Sequence, residues 1–435
     1  MKRNQIQSTS IAAFLTILSL APTRAQAAAG DLDPAFGRVG VVRTDFSGSD
    51  EYGFALKVQP DGKIVVAGQS GVYPVFHAAL ARYETNGRLD RSFGTGGKAS
   101  AALDPGGDGV QAIALQFDGK IVTAGSVIHN NFLLAFSVGR FNADGTLDGT
   151  FGNGGAVQTT FGDSSAEGND VVLQSDGRII VIGSTGAGSY SALNDFALVR
   201  YNSDGSLDQS FGIGGKVTTH FPGVFNTGSR GLGAALQRDG KLVVGGTYVN
   251  ESTPNTFAVA RYNSDGSLDA SFGDAGLVTT RIGAGDALAF GVIVQRDGRI
   301  VLAGYSDGED HDFTLACYNA NGTLDSTFGT AGIVTTNFST NSDDIAYALA
   351  AQRDGTLLVG GRTGEYPFFD FAVARYTSSG QLDQSFGVGG KVTTDLGSDE
   401  LGYGIAIQRD GKILLSGAAL KGSTFDFGVV RYLGQ

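Results

Sequence analysis

Short runs of β-branched, aliphatic and aromatic residues alternate along the chain with glycine- and aspartate-rich breaks, and no stretch beyond the N-terminal segment keeps a helical period. The stretch from 169 to 219 shows the unit. Asn169 to Gln174 and Arg178 to Gly183 flank the Asp176-Gly177 pair. That combination predicts two antiparallel strands joined by a tight turn, of type I′ where both central residues take positive φ. A longer loop follows, then a third run from Phe196 to Tyr201 and a polar turn at Asn202 to Gly205. A fourth segment passes through Leu207 and Phe211 to Val217-Thr218-Thr219. Together the runs predict a four-stranded antiparallel meander.

The unit recurs. An L-D-x-x-F-G element or a near variant places its phenylalanine at Phe36, Phe93, Phe151, Phe211, Phe272, Phe328 and Phe386, spaced by 56 to 61 residues. A Q-x-D-G element begins at Gln59, Gln116, Gln174, Gln237, Gln295, Gln352 and Gln408. The third run ends in an aromatic at Tyr83, Phe141, Tyr201, Tyr262, Tyr318, Tyr376 and Tyr432. One such sheet cannot bury its faces alone, so the copies must stack, and a radial stack leaves only short protected edges. The predicted fold is all-β: a seven-bladed β-propeller with four antiparallel strands per blade. Its ends are complementary. Asp31 to Gly37 leads into an orphan fourth strand, whereas the chain stops soon after Val429-Val430-Arg431-Tyr432, a third strand with no fourth. The N-terminal strand should therefore complete the last blade.

The first residues follow another pattern. Lys2 and Arg3 precede an apolar run from Ile11 to Ala21 and then Ala25-Gln26-Ala27, the layout of a signal peptide cleaved after Ala27. The expectation is a removed segment, 1–27, and a single propeller domain, 28–435, that is secreted or periplasmic. The apolar run is too short to span a membrane, and no later one is long enough. Cleavage would take the net charge from −12 to −15. That balance argues against nucleic acid and anionic membrane as partners and favours cations or basic ligands. Cys317 is the only cysteine, so stability must come from packing rather than an intramolecular disulfide. A lone cysteine in a strand is expected to be a small buried hydrophobe.

The combination L-D-x-S-F-G, G-G-K-V-T-T, Q-x-D-G-K-I-V-V-A-G and A-R-Y-N-x-D-G resembles the delta-60 repeat family of bacterial secreted proteins. The resemblance covers essentially all of residues 31–435. It implies a β-propeller and brings no catalytic residues with it. Two repeats depart from the pattern in a charged residue: Cys317 stands where six have arginine, and Thr356 where the others have lysine or arginine after Asp-Gly; the fourth repeat also carries about three extra residues around Pro222 to Gly228.

In a four-stranded blade the turns joining strands one to two and three to four share one rim, built here from the repeated motifs. The loops joining two to three and blade to blade share the other rim, and their variability suits binding. On that rim, eight or nine residues before the marker glutamine, stand Asp50, Asp108, Asp286, Asp343 and Asp399, several beside a second acid (Glu51, Asp344, Glu400). Glu167 lies nearby in the third repeat and Arg230 in the fourth. As a ring around a central mouth these carboxylates would attract calcium or a basic group. As local loop formers each would bond backbone N–H groups.

Further acids, Asp195, Asp312, Asp370 and Asp426, mark the starts of third strands. The recurring Arg82, Arg140, Arg200, Arg261, Arg375 and Arg431 fall near the aspartate of L-D-x-x-F-G, as structural ion pairs would. All four histidines, His77, His129, His220 and His311, map to the variable rim. His311, with Glu309 and neighbouring aspartates, has the composition of a general acid/base group. Rim aromatics Tyr73, Phe76, Tyr190, Tyr248, Tyr305, Tyr366 and Phe368 suit stacking on a glycan or anchoring a protein. The expected function is a secreted, monomeric binding module for a protein, glycan or small basic ligand. The alternative is a lyase or hydrolase working with His311 and nearby carboxylates.

Overall fold

Seven four-stranded antiparallel sheets form the protein, and each runs in chain order except the last. The computed structural model describes residues 27–435 apart from 74, 105, 130–132, 187–193, 224–226, 251 and 309. The expected signal peptide thus lies almost wholly outside the described residues. Blade three consists of Ser165–Leu173, Ile179–Gly186, Asp195–Tyr201 and Lys216–Thr219. The first strands of all blades stand side by side around a central channel, so the seven sheets form a seven-bladed β-propeller.

Blade seven joins Glu400–Ile407, Ile413–Lys421 and Thr424–Tyr432 to the N-terminal strand Val41–Thr44. Val41 pairs with Val430 and Thr44 with Phe427. The chain ends also bond directly, through Gly30 N–H to Leu433 O at 2.8 Å and Leu433 N–H to Asp31 O at 2.8 Å. The expected closure of the ring by the N-terminal strand is therefore what the fold contains.

The Asp-Gly hairpins differ from expectation in turn type. Gln174 O accepts from Gly177 N–H at 3.0 Å and Gln174 N–H donates to Arg178 O at 2.9 Å, while only Gly177 has positive φ, +85°. This is a three-residue loop, a type I turn closed by a left-handed glycine, in place of the two-residue type I′ turn. Asp176 reinforces it by accepting the Arg178 N–H at 3.1 Å.

Among the described residues the buried side chains form no single core. Each cluster of buried side chains lies between two neighbouring blades, as where Val122, Phe136 and Val138 of blade two meet Val181, Val199 and Tyr201 of blade three. The motif-built rim holds these layers in register. Arg200 donates to Asp208 Oδ2 at 2.7 Å and Ser210 Oγ at 3.2 Å, lies 4.5 Å from the centre of the Phe211 ring, and bonds the Ser264 carbonyl of the next blade. The same group recurs around the ring, ending with Arg431, which pairs with the N-terminal Asp33 and donates to Thr85 O of blade one at 2.5 Å.

The two departures fit this clamp because it has two cations. In most blades the basic residue after Asp-Gly reaches the same aspartate, as Lys241 reaches Asp269 at 2.8 Å. Where Cys317 replaces the arginine, Arg299 takes over, meeting Asp325 at 3.2 Å and the next blade's Ser378 O at 3.1 Å. Where Thr356 replaces the lysine, Arg375 holds Asp383 alone at 2.8 Å. Cys317 itself is buried.

Candidate functional site

Every first strand carries a β-bulge at the same place, seen as a register shift such as that between Tyr52 and Ala55 or between Gly402 and Gly404. A bulge re-aims a side chain out of the ladder. The residues it turns toward the channel are Phe54, Gln111, Asn169, Leu232, Phe290, Tyr347 and Tyr403, which line a cavity of about 450 Å³. Opposite each bulge the second strand has glycine. A Cβ on Gly183 would stand 1.7 Å from Glu167 O, and one on Gly417 1.9 Å from Leu401 O. The glycine that recurs in the run after each Q-x-D-G element is thus what lets the bulge form.

The seven bulge positions are not filled alike. Blades five, six, seven and one, which are contiguous once the ring closes, supply Phe290, Tyr347, Tyr403 and Phe54; blades two to four supply Gln111, Asn169 and Leu232. The four rings touch in sequence: Phe290 to Tyr347 at 5.0 Å, Tyr347 to Tyr403 at 5.1 Å, and Tyr403 to Phe54 at 4.9 Å between centroids. Tyr52 extends the arc toward the mouth at one end, 5.9 Å from Phe54, and Tyr305 at the other, 6.1 Å from Phe290. Blades two to four fold without these rings, so the fold does not require them.

The mouth acids fall into two registers. Asp50, Asp286 and Asp399 each accept a backbone N–H from the preceding blade's third strand: Phe425 at 3.1 Å, Asn255 at 2.7 Å and Phe369 at 3.1 Å. They are half-buried clamps between blades. Asp108 belongs one residue deeper, with Glu51, Asp344 and Glu400, and all four are buried. Asp108 accepts from Ala78 N–H at 2.7 Å and Leu103 N–H at 2.8 Å. Its side chain is covered, which keeps it out of any open ring at the mouth. Burial pushes Asp344 up to about 6 and Glu400 up to about 7 against their hydrogen bonds. Glu167 meets Arg230 at 3.4 Å.

The half-buried acids lie on the same arc as the rings. Burial first, and then Asp307, Asp286 and Asp343, push Tyr305 up to about 12. Burial, Asp50 and Asp399 raise Tyr52. His311 sits at this end, its Nε2 3.1 Å from Asp307 and its Nδ1 3.1 Å from Asp343 of the next blade, with its ring 4.4 Å from Tyr305. His311 Nδ1 and Asp307 Oδ1 have no hydrogen-bond alignment in these approaches. Glu309, the expected partner, lies outside the described residues.

The remaining histidines stand apart: His77 lies 3.5 Å from Asp108 and His220 2.8 Å from Asp195. Of the rim aromatics, Tyr73, Tyr366 and Phe368 are exposed, Tyr248 packs near Phe221, and Tyr190 lies outside the described residues. The sequence reading missed Phe54, Phe290, Tyr347 and Tyr403. Their signal was an aromatic five residues before the marker glutamine in four repeats out of seven.

Known structures share this architecture at low identity. Polysaccharide lyase Uly1 matches with a TM-score of 0.51 and 12% identity, over 96% of this chain and 94% of that one. A polysaccharide lyase described as a PL25 ulvan lyase matches at 0.50 and 12%, over 91% and 96%. A protein of unknown function from Dyadobacter fermentans matches at 0.47 and 12%, over 93% and 100%. At such identities the likeness is one of fold. No curated protein matches the sequence. Six segments, 59–93, 116–151, 174–211, 237–272, 295–328 and 352–386, match the family described as "Domain of unknown function (DUF5122) beta-propeller". Each runs from a marker glutamine to the phenylalanine of the next L-D-x-x-F-G element, and so the chain belongs to a β-propeller repeat family.

Proposed function

We propose that this chain is a secreted binding module of the delta-60 repeat type, and that it holds a small basic ligand at the channel mouth. The carrying observation is the arc of four touching aromatic rings in blades five, six, seven and one, set beneath half-buried carboxylates on the same blades. Ring faces attract cations. Asp286, Asp307 and Asp343 add negative potential at one end, and Asp50 and Asp399 at the other. A ligand with a flat or methylated cationic group meets both features at once. In a ring of near-identical repeats, the one-sided placement of the arc favours a specific ligand over a symmetric scaffold.

The test is calorimetric titration of the full chain with tetramethylammonium, spermidine and a neutral oligosaccharide in parallel. Binding of a cation, weakened about tenfold or more in Tyr403→Ala and in Tyr347→Ala, supports the reading. Binding of the neutral sugar alone, or cation binding indifferent to both variants, overturns it.

A second reading is favoured by one observation, the placement of His311 between Asp307 and Asp343 beside Tyr305. A histidine with carboxylates from two blades is a composition that general acid/base chemistry uses, and polysaccharide lyases share the fold. An anionic polysaccharide would, however, be repelled by the same aspartates. Turnover of such a chain by the protein, followed by the absorbance of an unsaturated product and lost in His311→Ala, would put this reading first.

A further inference from the structure

The closure seam gathers three carboxylates from three separate segments, and one of them, Asp45, also accepts the Gly48 N–H at 2.7 Å. Asp45 follows the closing strand Val41–Thr44 directly, Asp426 lies in the third strand of blade seven, and Glu51 lies in the first strand of blade one. Thr44 is paired with Phe427 at the end of the ladder, and Asp45, the next residue, comes close to Asp426. Like charges at such a distance repel. One oxygen from each of the three side chains lies within 4.8 Å of the others. That is about the span of oxygens on opposite sides of an ion bound at roughly 2.3–2.6 Å.

The buried member is incompletely satisfied. Glu51 has no exposed surface, and its Oε1 accepts from Ser49 Oγ at 3.2 Å and Ser70 Oγ at 3.3 Å. Its Oε2 is buried with no hydrogen-bond partner. A buried carboxylate oxygen without a donor is costly unless a cation meets it.

Nearby protein cations do not fill the role. Lys421 is 67% exposed and stands 3.8 Å from Asp426 alone. Arg43 donates to Leu420 O at 2.7 Å and Leu396 O at 3.1 Å. Lys98 donates to the Asp45 carbonyl, not its carboxylate. The equivalent acids one blade back, Asp370, Asp395 and Glu400, make a useful contrast. There both Glu400 oxygens accept, from Leu396 N–H at 3.0 Å and Ser398 Oγ at 3.1 Å, and Arg43 lies 3.7 Å away.

We propose that Asp45, Glu51 and Asp426 bind one calcium ion that fastens the closed ring. The donor set is all oxygen, irregular and partly open at Asp45, which suits calcium's variable coordination better than the strict octahedron of magnesium. The three ligands come from segments that meet only when the N-terminal strand has docked, so binding and closure are thermodynamically linked. The site uses no residue of the aromatic arc and stands independently of the ligand reading above.

The test uses the full chain stripped with chelator and titrated with calcium chloride alone, read by native mass spectrometry and calorimetry. One ion per chain is expected, with a rise of a few degrees in melting temperature. Glu51→Gln and Asp426→Asn should abolish uptake, while Glu400→Gln and Asp343→Asn should keep it. Glu51→Gln removes a buried charge, so in chelator it should melt no lower than the parent. If a buried variant fails to fold, Asp45→Asn in the exposed loop carries the test and should weaken binding about tenfold through loss of ligand charge. No uptake by the parent at millimolar calcium, uptake unchanged in Glu51→Gln or Asp45→Asn, or loss confined to Asp343→Asn would each overturn the proposal.

Discussion

The two rims of the ring are made from the same repeat and obey different rules. On the motif-built rim, arginine, aspartate and a serine or threonine form one clamp many times over, with the guanidinium reaching the next blade's turn each time, as in Arg140, Arg200 and Arg261. Substitutions there are compensated locally: Arg299 covers for Cys317, and Arg375 stands in where Thr356 offers no charge. On the variable rim equivalent positions diverge without compensation. The bulge residue is aromatic in four consecutive blades and aliphatic or polar in three. Redundancy marks the rim that the fold depends on, and broken symmetry marks the rim left free for a ligand.

Breaking the first rim should have the larger consequences. Deletion of residues 31–46 removes the closing strand and the Asp33 clamp at once, and should abolish the cooperative melt of the whole ring. A truncated chain that kept its melting temperature would show that closure is dispensable. Next in size is Arg200→Ala, which removes the 2.7 Å partner of Asp208 and a bond to the next blade but leaves Arg178 3.4 Å from the same carboxylate. A loss of about 1–3 kcal/mol in denaturant unfolding is expected. By contrast Tyr403→Ala should cost less stability than Arg200→Ala while removing ligand binding. If the two rims responded alike, the division between them would fail.

Titration separates the rims by sign. Lys241, acting against burial and joined by Ser271 and Arg261, holds Asp269 well below the ordinary carboxylate range. A lowered native pKa contributes stability above the unfolded value, lost as pH falls below about 4. Burial raises Asp344 to about 6 and Glu400 to about 7. A raised carboxyl binds its proton more tightly in the folded state, so its contribution is present at low pH and lost as pH rises from about 4 to about 7. Melting temperature should therefore peak near pH 4 to 5. Glu400→Gln should flatten the upper side of that peak, and Asp269→Asn the lower; a profile unchanged by either would contradict the assignment. The smallest expected effect is at Cys317, whose thiol is buried and pushed up to about 12. It should resist a thiol reagent in the folded protein and react on unfolding.

Much of this was legible in the chain before any coordinates. Periodicity two, the Asp-Gly hairpins and the sevenfold count specify sheets that must stack, because one blade cannot bury its own faces. The mismatch of the two ends specifies the seam. Local spacing also marks Arg200 and Asp208 as partners, since the turn between them brings residues eight apart to one edge.

What the linear pattern could not supply was depth and azimuth. Residues eight and nine before the marker glutamine look like one acidic ring in sequence, yet alternation along a strand buries Glu51 and Asp108 and leaves Asp50 half-buried. The bulge is a further step removed: whether Phe54 or Tyr403 enters the channel depends on a register shift permitted by glycine on the neighbouring strand. The predicted seam sets blade seven beside blade one, yet linear order does not show which side chains that adjacency brings together. That adjacency exists only after closure, and with it come both the continuous aromatic arc and the meeting of Asp45, Glu51 and Asp426. The sequence by itself determined the repeat, the blade and the need for a ring. The tertiary structure decided which side chains share a space, because curvature, pleat and closure place residues hundreds of positions apart in contact.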